Sequence, residues 1–527
     1  MLESSSEAMS RPRRSLAFLL LLALYLPALA AEQKDLTKKI DQILEQPDIS
    51  RGFWGIEIVS LDTGKTIYTQ NAERLFTPAS NTKLFTTATT LALIGPDYRF
   101  HTSVETTGTL DKYGRLNGDM ILIGRGDPNL SGRTLPYNLR TERILSPTHV
   151  LEELADQVVA KGIKMIDGDV VADDSFFPFQ RYGEGWSQDD LMWEWGAPAS
   201  ALTINDNVLF MSVKPADRPG ERAFINLTPF SDYYKIDNRV MTTPAGTGPR
   251  KVVTLREPGS NQILAWGSIP VDDLGHSEAI AIDDPAEFAA RVLRQLLQQR
   301  GISIFGRSRA HHADLASLST FSVTTFASSG GGDARPPSTP ASMVLANYES
   351  APVVQDLRVI NKVSQNLHAE LMLRLLGKEK GTAGTIDGGL EVMQGWLTTA
   401  GIRPEEYAFF DGSGLSRENL VTPHAVVKLL TYVSKQPWAN EFTDTLPVGG
   451  VDGTLMDRFR TPQLTGKIHA KTGSLGHVNS LSGYATTAKG ERIVFSILTN
   501  NHLLTNRKAL ETMDSILTAV IEDAKKD

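Results

Sequence analysis

Two β-hairpin patterns, one near each end of the chain, constrain the fold of this sequence more than any other feature. Near the start, "GFWGIEIVS" and "KTIYTQ" have a period-2 pattern on either side of "LDTG", which is typical of two strands joined by a tight turn. Near the end, "SLSGYATTA" and "ERIVFSILTN" flank "KG" in the same way. Helical patterns occupy much of the sequence in between. We therefore expect an antiparallel sheet that both ends of the chain complete, wrapped by helices and split by an insertion.

The middle of the chain has a different pattern of predicted secondary structure. From about residue 98 to 310, short strand patterns and turns dominate, with helices predicted only at "THVLEELADQVVAKG" and "PAEFAARVLRQLLQQRG". A chain of 527 residues has room for roughly three domains, at about 150 residues each. We interpret this region as one or two inserted α+β modules. They are followed by a low-complexity linker or mobile loop, "SSGGGDARPPSTPAS", at 328–342.

The first 31 residues predict export. The basic "RPRR" precedes the apolar run "SLAFLLLLALYLPALA", which falls short of the ~20 residues that a membrane span needs. Small residues suit signal-peptidase cleavage near Ala30 or Ala31, and a retained N-terminal anchor is the alternative. We therefore predict a periplasmic or otherwise exported protein. A peripheral association with the membrane or the cell wall is left open.

Composition excludes several classes of function. The chain contains no cysteine, so disulfides, thiolate metal sites and cysteine nucleophiles are excluded together. The formal net charge of -8 offers no basic surface for nucleic acid, which we exclude as a partner. No metal and no other cofactor are expected, because His311 and His312 lack the spacing of metal ligands and Asn129 replaces the third glycine of a dinucleotide-binding loop. The oligomeric state is left open.

A serine stands three positions before a lysine at the head of an apolar helical pattern, in "TPASNTKLF". In a helix, Ser80 and Lys83 leave the same face and can touch, which is the geometry of a nucleophile and its base. The apolar residues that follow cover more than one stripe, so we expect this helix to be buried. The alternative is a helix-capping serine followed by a solvated lysine, and this short motif alone does not decide between the two.

Two further short motifs follow along the chain. Each occurs once, and their residues are Ser364, Gln365 and Asn366 in "SQN" and Lys471, Thr472 and Gly473 in "KTG". Ser-x-x-Lys, Ser-x-Asn and Lys-Thr-Gly, in this order, form the catalytic set of penicillin-binding proteins and related serine acyltransferases. Because all three elements are present and in order, we predict that they converge on one cleft.

The residue types suit acyl transfer. A serine hydroxyl needs a base, and Lys83 can act as one only if burial favours its neutral amine. A position at a helix N-terminus makes the N–H of Ser80 a candidate oxyanion donor. On a strand, Lys471 and Gly473 point to one face, where the ammonium can meet a substrate carboxylate and the glycine lets the substrate backbone lie close. The Ser-x-Asn motif offers a proton relay and an amide hydrogen bond.

The sequence resembles the class C low-molecular-mass penicillin-binding proteins, the D-alanyl-D-alanine carboxypeptidase/endopeptidase family. Besides the three motifs, the resemblance covers nearly the whole mature chain and rests on "GRGDPNL", "APASALTINDN", "DGSGLSREN", "LPVGGVDGTL" and "KTGSLGHVNSLSGY". It implies an α+β fold. A serine penicillin-recognising transpeptidase-like domain, with an antiparallel sheet flanked by helices, is interrupted by two inserted α/β-rich domains, one nested in the other.

The resemblance also implies a division of the chain and a set of site residues. The division is a signal peptide at 1–31, the penicillin-binding domain at 32–96 and 343–527, and the inserted domains at 97–342 with the nested part at roughly 130–200. The catalytic residues would be Ser80, Lys83 and Ser364. The substrate-binding residues would be Asn366, Lys471, Thr472, Gly473 and Ser474. In this family pattern, the N–H groups of Ser80 and Ser474 form the oxyanion hole, and Lys471 with Thr472 holds the terminal carboxylate.

The function that follows is an exported serine DD-peptidase. It would cleave the terminal D-Ala-D-Ala bond of peptidoglycan stem peptides, and D-alanyl cross-links, through an acyl-serine intermediate. β-Lactams would acylate Ser80 as covalent inhibitors. A β-lactamase or esterase on the same catalytic core is the alternative within enzymes. An inactive peptidoglycan-binding scaffold is the alternative outside them, although the intact Ser80 and Lys83 argue against it.

Overall fold

The computed structural model of the chain describes residues 35–139, 143–318 and 342–523. The predicted signal peptide at 1–31 lies outside these residues, as does the low-complexity segment up to residue 341. None of the described helices is long and apolar enough to cross a membrane.

Helices and strands are spread over the whole described chain. The helices are α1 (35–44), α2 (Thr82–Leu93), α3 (His149–Ala160), α4 (Pro285–Gln299), α5 (Val353–Lys362), α6 (Asn366–Lys380), α7 (Ile386–Thr399), α8 (Pro423–Val433), α9 (Ala439–Thr445) and α10 (Asn506–Asp523). The strands are β1 (Phe53–Ser60), β2 (Thr66–Gln70), β3 (His101–Thr106), β4 (Thr109–Leu110), β5 (Arg115–Asn117), β6 (Met120–Ile123), β7 (Asp127–Leu130), β8 (Met165–Ile166), β9 (Val170–Pro178), β10 (Leu202–Ile204), β11 (Val208–Lys214), β12 (Phe224–Thr228), β13 (Lys235–Thr243), β14 (Lys251–Leu255), β15 (Gln262–Pro270), β16 (His276–Ala281), β17 (Ser303–Ile304), β18 (Ser308–Ala313), β19 (Met343–Glu349), β20 (Tyr407–Ala408), β21 (Leu420–Val421), β22 (Ile468–Leu475), β23 (Val478–Thr486) and β24 (Arg492–Asn500). Strands dominate the middle of the chain, and helices dominate the part that follows β19.

A five-stranded sheet joins the two ends of the chain, as the hairpin patterns predict. Its strand order is β2-β1-β24-β23-β22, and every neighbouring pair is antiparallel. β1 pairs with β24 along its whole length, from Phe53 opposite Asn500 to Ser60 opposite Ile493. The predicted α+β fold, with an antiparallel sheet that both ends complete, is confirmed.

Helices cover both faces of this sheet. On one face, Ile40 of α1 and Ile516 of α10 are fully buried in a cluster with Ile56 of β1. On the other face, Leu84 of α2 lies in a second cluster with Leu498 of β24. Because both of its faces are covered, β24 is buried along nearly its whole length instead of alternating between buried and exposed residues.

Helix α2 is buried from Thr82 to Leu91, as its broad apolar pattern predicts. It packs against α5, α6 and α7. Three of its threonines tolerate burial because their hydroxyls donate to helix carbonyls one turn earlier, as where Thr87 Oγ1 donates to Lys83 O at 2.7 Å. The start of α2 is therefore held rigidly beneath the sheet, which matters for the serine that precedes it.

The insert, residues 101–349, has its own core. Its main sheet has the strand order β18-β9-β6-β3-β19, and a smaller one has the order β17-β8-β5-β4. Leu154 of α3 and Leu293 of α4 are fully buried in one cluster with Leu122 of β6. β19 pairs with β3, so the sheet of the insert extends beyond residue 343, where the second part of the penicillin-binding domain is predicted to begin.

Strands β11 to β16 pair with one another. They form two three-stranded sheets of their own, β12-β11-β16 and β13-β15-β14. By contrast β8 and β9, which lie within the predicted nested part, pair with β5, β6, β17 and β18 on either side of it in the chain. The predicted nested part, at roughly 130–200, therefore contributes strands to both sheets of the insert, and its bounds stay a prediction. The other predicted boundaries stay predictions.

Helix α6 runs through Gly377 and continues to Lys380. A Cβ added at Gly377 would lie 2.4 Å from the carbonyl oxygen of Ala383 and 2.7 Å from the backbone nitrogen of Gly389. The glycine therefore allows α7 to pack closely against α6 and does not end the helix.

Candidate active site

Ser80 lies in the 3-10 turn Ala79–Asn81, which leads directly into α2. Lys83 follows in the first turn of α2 and is 0% exposed. Its Nζ lies 2.9 Å from Ser80 Oγ, 2.6 Å from Asn366 Oδ1 and 2.6 Å from the carbonyl oxygen of Ser413. The serine and the lysine of the first motif are therefore in direct contact, and the alternative of a solvated lysine is wrong.

The contacts of Lys83 suit a neutral amine. Asn366 Oδ1 and the Ser413 carbonyl oxygen can only accept hydrogen bonds, so each takes one N–H of the amine. A neutral amine has two N–H groups and one lone pair. In the charged form the third N–H donates to Ser80 Oγ. In the neutral form the lone pair takes that place and faces Ser80 Oγ, which is a hydroxyl and can donate, so the same contacts let the neutral amine accept the serine proton.

Burial also lowers the pKa of Lys83 from 10.5 to about 7, because removal from water disfavours the charged form. The carboxylates of Asp411 and Glu370 act in the opposite direction. Glu370 instead forms hydrogen bonds with the backbone, and its Oε1 accepts the N–H groups of Gly412 and Ser413, both at 2.9 Å. Near neutral pH a substantial fraction of Lys83 is unprotonated, as a general base requires.

Strand β22 fixes the turn that carries Ser80. A Cβ added at Gly473 would lie 2.2 Å from Ser480 Oγ and 2.9 Å from the backbone nitrogen of Ser80. Only glycine lets the turn approach the strand this closely. Ser480 Oγ donates to the carbonyl oxygen of Pro78 at 2.8 Å and ties the start of the turn to β23. The Lys-Thr-Gly strand and the serine turn are thereby packed as one unit.

Lys471 is a second fully buried amine in the same cleft. Its Nζ donates to Ser364 Oγ at 2.9 Å and to the carbonyl oxygen of Thr472 at 2.7 Å. Burial, with a smaller contribution from Lys83, holds the pKa of Lys471 well below its usual range. Among the described residues, no carboxylate opposes this effect. An incoming carboxylate would therefore favour the charged form of Lys471.

The Ser-x-Asn motif joins α5 to α6. Ser364 has a left-handed backbone, with φ of 64°, and Gln365 is the N-cap residue of α6. Asn366 Oδ1 accepts from Lys83, and its Nδ2 donates to the carbonyl oxygen of Trp195 at 2.8 Å. Both ends of the Asn366 amide are therefore engaged, one with Lys83 of α2 and the other with Trp195 of the insert.

β22 is the edge strand of its sheet, so one side of its backbone is free of a neighbouring strand. On that side the N–H of Ala470 donates to the carbonyl oxygen of Pro447 at 3.0 Å. Backbone groups in a strand alternate sides with period two, so the N–H groups of Thr472 and Ser474 face the same side. The Thr472 hydroxyl donates to Thr454 Oγ1 at 2.8 Å. This orientation leaves the N–H of Ser474 able to bond a substrate.

The structure thus brings the three predicted motifs together. The residues that meet, directly or as neighbours on β22, are Ser80, Lys83, Ser364, Asn366, Lys471, Thr472, Gly473 and Ser474. Their individual roles stay predictions, because the geometry shows which groups touch and not what each does in a reaction.

Sequence reasoning missed part of the surroundings of Lys83. The carbonyl oxygen of Ser413 has no sequence signature, because every residue carries one. Asp411 shapes this segment by accepting the N–H of Gly414 at 2.8 Å, and Trp186 of the insert donates Nε1 to Asp411 Oδ2 at 2.9 Å. The resemblance placed the segment that begins at Asp411 near the site, but no spacing in the sequence connects it with Trp186.

The fold and the cleft together define a class of protein. A serine precedes a buried helix that carries its lysine partner, and the Ser-x-Asn and Lys-Thr-Gly elements border the same space. On an antiparallel sheet wrapped by helices, this is the arrangement of the penicillin-recognising serine hydrolases.

The chain belongs to the D-Ala-D-Ala carboxypeptidase 3 (S13) family, whose model matches residues 36–317 and 333–520. It is 33% identical to the D-alanyl-D-alanine carboxypeptidase of Actinomadura sp. (strain R39), over 94% of this chain and 87% of that protein. It is 27% identical to the D-alanyl-D-alanine carboxypeptidase DacB of Haemophilus influenzae, over 92% of each. The crystal structure of penicillin binding protein 4 (dacB) from Haemophilus influenzae matches with a TM-score of 0.74 at 25% identity, covering 92% of this chain and 98% of that one.

These comparisons confirm the predicted family and the predicted class of enzyme. The protein is a serine DD-peptidase, a hydrolase that acts on peptidoglycan.

Proposed function

We propose that the protein removes the terminal D-alanine of peptidoglycan stem peptides through an acyl-serine intermediate, with Ser80 as nucleophile and Lys83 as general base. The observation that carries this proposal is the 2.9 Å contact between Lys83 Nζ and Ser80 Oγ. The amine is fully buried and has a pKa of about 7, so it can accept the hydroxyl proton near neutral pH.

Acylation then takes a definite course. Ser80 Oγ bonds to the carbonyl carbon of the penultimate D-alanine, while its proton passes to Lys83. The N–H groups of Ser80 and Ser474 receive the oxyanion. When the peptide bond breaks, Ser364 relays the proton held by Lys83 to the nitrogen of the leaving D-alanine. Water finally hydrolyses the ester and frees Ser80.

Substrate recognition falls to the other two motifs. Lys471 and Thr472 hold the terminal carboxylate, which supplies the anionic partner that the described residues do not give Lys471. Asn366 binds the substrate amide from its place beside Lys83. Its Nδ2 would exchange the carbonyl oxygen of Trp195 for that of the substrate.

The same proposal includes location, inhibition and a second activity. Export to the periplasm is proposed from the basic and apolar leader. Acylation of Ser80 by β-lactams is supported by a crystal structure of the Haemophilus influenzae penicillin binding protein 4 complexed with a β-lactam. Cleavage of D-alanyl cross-links would use the same cleft, because the bond broken is again a D-alanyl amide.

A labelled penicillin tests the nucleophile. Wild-type protein should become labelled, and mass spectrometry should locate the adduct on Ser80. Ser80→Ala should remain unlabelled. Ser515→Ala, which removes an exposed hydroxyl on α10, serves as the control and should label like the wild type. Equal labelling of the Ser80→Ala protein would remove the proposal.

Intact cross-linked muropeptides test the second activity. Loss of D-alanine from free stems reports carboxypeptidase action, and conversion of dimers to monomers reports endopeptidase action. Dimers that survive while D-alanine is released would remove the cross-link part of the proposal and leave the rest in place.

A further inference from the structure

Three consecutive residues of the insert adopt a left-handed backbone. Asn205, Asp206 and Asn207 have φ values of 52°, 57° and 53°, and all three are almost completely buried. None is a glycine, and single left-handed residues of this kind are already uncommon. Such conformations persist only where the surrounding contacts over-determine them, and they concentrate at functional sites. The turn therefore has to be explained by what it holds in place.

The turn presents the Asp206 carboxylate to two arginines of the insert. Arg133 bonds it through both of its terminal nitrogens, at 3.1 Å and 2.9 Å. Arg143 Nη1 lies 3.3 Å from the same group. Burial alone would raise the pKa of Asp206, but the two guanidinium groups hold it well below its usual range. Asp206 is thus a fixed anion, with oxygen lone pairs left for further donors.

Those further donors come from the Ser-x-Asn element and from the first turn of α6. Gln365 Nε2 donates to Asp206 Oδ2 at 2.9 Å, and His368 Nε2 lies 3.3 Å from Asp206 Oδ1. The other end of the Gln365 amide caps α6, because Oε1 accepts the N–H of Leu367 at 2.9 Å. The middle residue of Ser-Gln-Asn is therefore held at both ends, by its own helix and by the insert.

We propose that Asp206 is a positioning residue for the Ser-Gln-Asn element. Through Gln365 it fixes the left-handed turn from which Ser364 reaches Lys471 and Asn366 reaches Lys83. Asp206, Gln365 and Asn366 line one cavity of ≈ 560 Å³. The insert is then part of the catalytic framework and not an independent module. This inference rests on the proposed roles of Ser364 and Asn366.

Gln365→Met tests the contact, because it removes the donor to Asp206 but keeps the length of the side chain. Its matched control is Thr385→Ala, which removes the equivalent N-cap bond of α7, where Thr385 Oγ1 accepts the N–H of Gly388 at 3.0 Å. We expect acylation by labelled penicillin to slow about 10- to 100-fold in Gln365→Met, because small displacements of reacting groups have effects of this size. Thr385→Ala should stay within about twofold of the wild type, since it loses a cap of similar strength away from the cleft.

A double-mutant cycle separates positioning from general stability. If Asp206 acts through Gln365, the Asp206→Asn, Gln365→Met double variant should be acylated no more slowly than the slower single variant. Effects that multiply would overturn the inference. If Asp206→Asn fails to fold, because two buried arginines lose their counter-ion, the comparison of Gln365→Met with Thr385→Ala decides alone.

The two proposals fail in different ways. Wild-type protein that is never acylated on Ser80 would remove the proposed function. Wild-type protein that is acylated, together with a Gln365→Met protein acylated at the same rate, would remove only the role of Asp206. Thermal unfolding measures the folded fraction of each variant. If the acylation rate of Gln365→Met falls only in proportion to its folded fraction, that result would also count against the role of Asp206.

Discussion

The side-chain amines of Lys83 and Lys362 are both buried, but the groups that they contact differ. Lys362, at the end of α5, donates to Asp452 Oδ2 at 2.6 Å, and both side chains are at most 3% exposed. Lys83 is equally buried but touches only neutral oxygens, those of a hydroxyl, a side-chain amide and a backbone carbonyl. Burial lowers the pKa of both amines.

The difference teaches that contact with a carboxylate decides what a buried lysine does. Asp452 also accepts the hydroxyl of Tyr137 at 2.7 Å and the N–H of Val448 at 2.8 Å, so the pair joins the insert, α5 and the loop before β22. There the ammonium is held as part of an ion pair. Without such a partner, Lys83 is free to lose its proton near neutral pH, and its lone pair is available for chemistry.

The largest effect should come from Lys83→Met. Removal of a general base is expected to lower the rate of D-alanine release from a D-Ala-D-Ala peptide by about 10³-fold. Stability should be unchanged or higher, because an apolar side chain replaces a buried amine. Kinetics and thermal unfolding of the same samples check both parts. A rate within tenfold of the wild type would contradict the assignment of Lys83 as base.

Lys362→Met should lower the stability of the protein, in contrast to Lys83→Met. It leaves Asp452 buried without its cation, so we expect a loss of about 3–5 kcal/mol in the free energy of unfolding. Urea unfolding measures this loss. Adding Asp452→Asn, which removes the stranded charge, should restore part of it. A Lys362→Met protein as stable as the wild type would end the distinction between the two lysines.

The pH profile of the wild type gives the next largest effect. Protonated Lys83 cannot accept the serine proton, and its pKa is about 7, so activity is lost as pH falls. We expect kcat/KM for D-alanine release to rise about tenfold per pH unit below pH 7 and to level off above it. Rates at matched ionic strength, with the folded fraction checked at each pH, measure the profile. A flat profile between about pH 5 and 8 would contradict a neutral lysine base.

Tyr137→Phe should have the smallest effect. It removes one hydrogen bond to the Asp452 carboxylate and should cost about 1–2 kcal/mol of stability. Tyr182→Phe is the control, because its hydroxyl lies at the longer distance of 3.4 Å from Asp283 Oδ1. Urea unfolding of both variants gives the comparison. Equal losses would show that the contact at Asp452 has no special strength.

The sequence predicted the elements of the fold better than their partners. Period-2 and helical patterns are local, and they identified the two terminal hairpins, α2, and the helices α3 and α4 of the insert. They could not show that β19 pairs with β3 in the insert, because a strand pattern does not specify the strand it joins. The role of Gly377 is hidden from the sequence for a similar reason, since only the position of α7 reveals why a side chain is excluded there.

The sequence by itself determined the chemical groups of the site and their order along the chain, because Ser-x-x-Lys, Ser-x-Asn and Lys-Thr-Gly are recognised by residue type and spacing. Only the tertiary structure decided the environment that lowers the pKa of Lys83 and the contact of Asp206 with the Ser-Gln-Asn turn. A pKa depends on desolvation and on neighbours that folding brings from distant positions, and the carbonyl oxygen of Ser413 that accepts from Lys83 is a backbone group that no sequence pattern distinguishes.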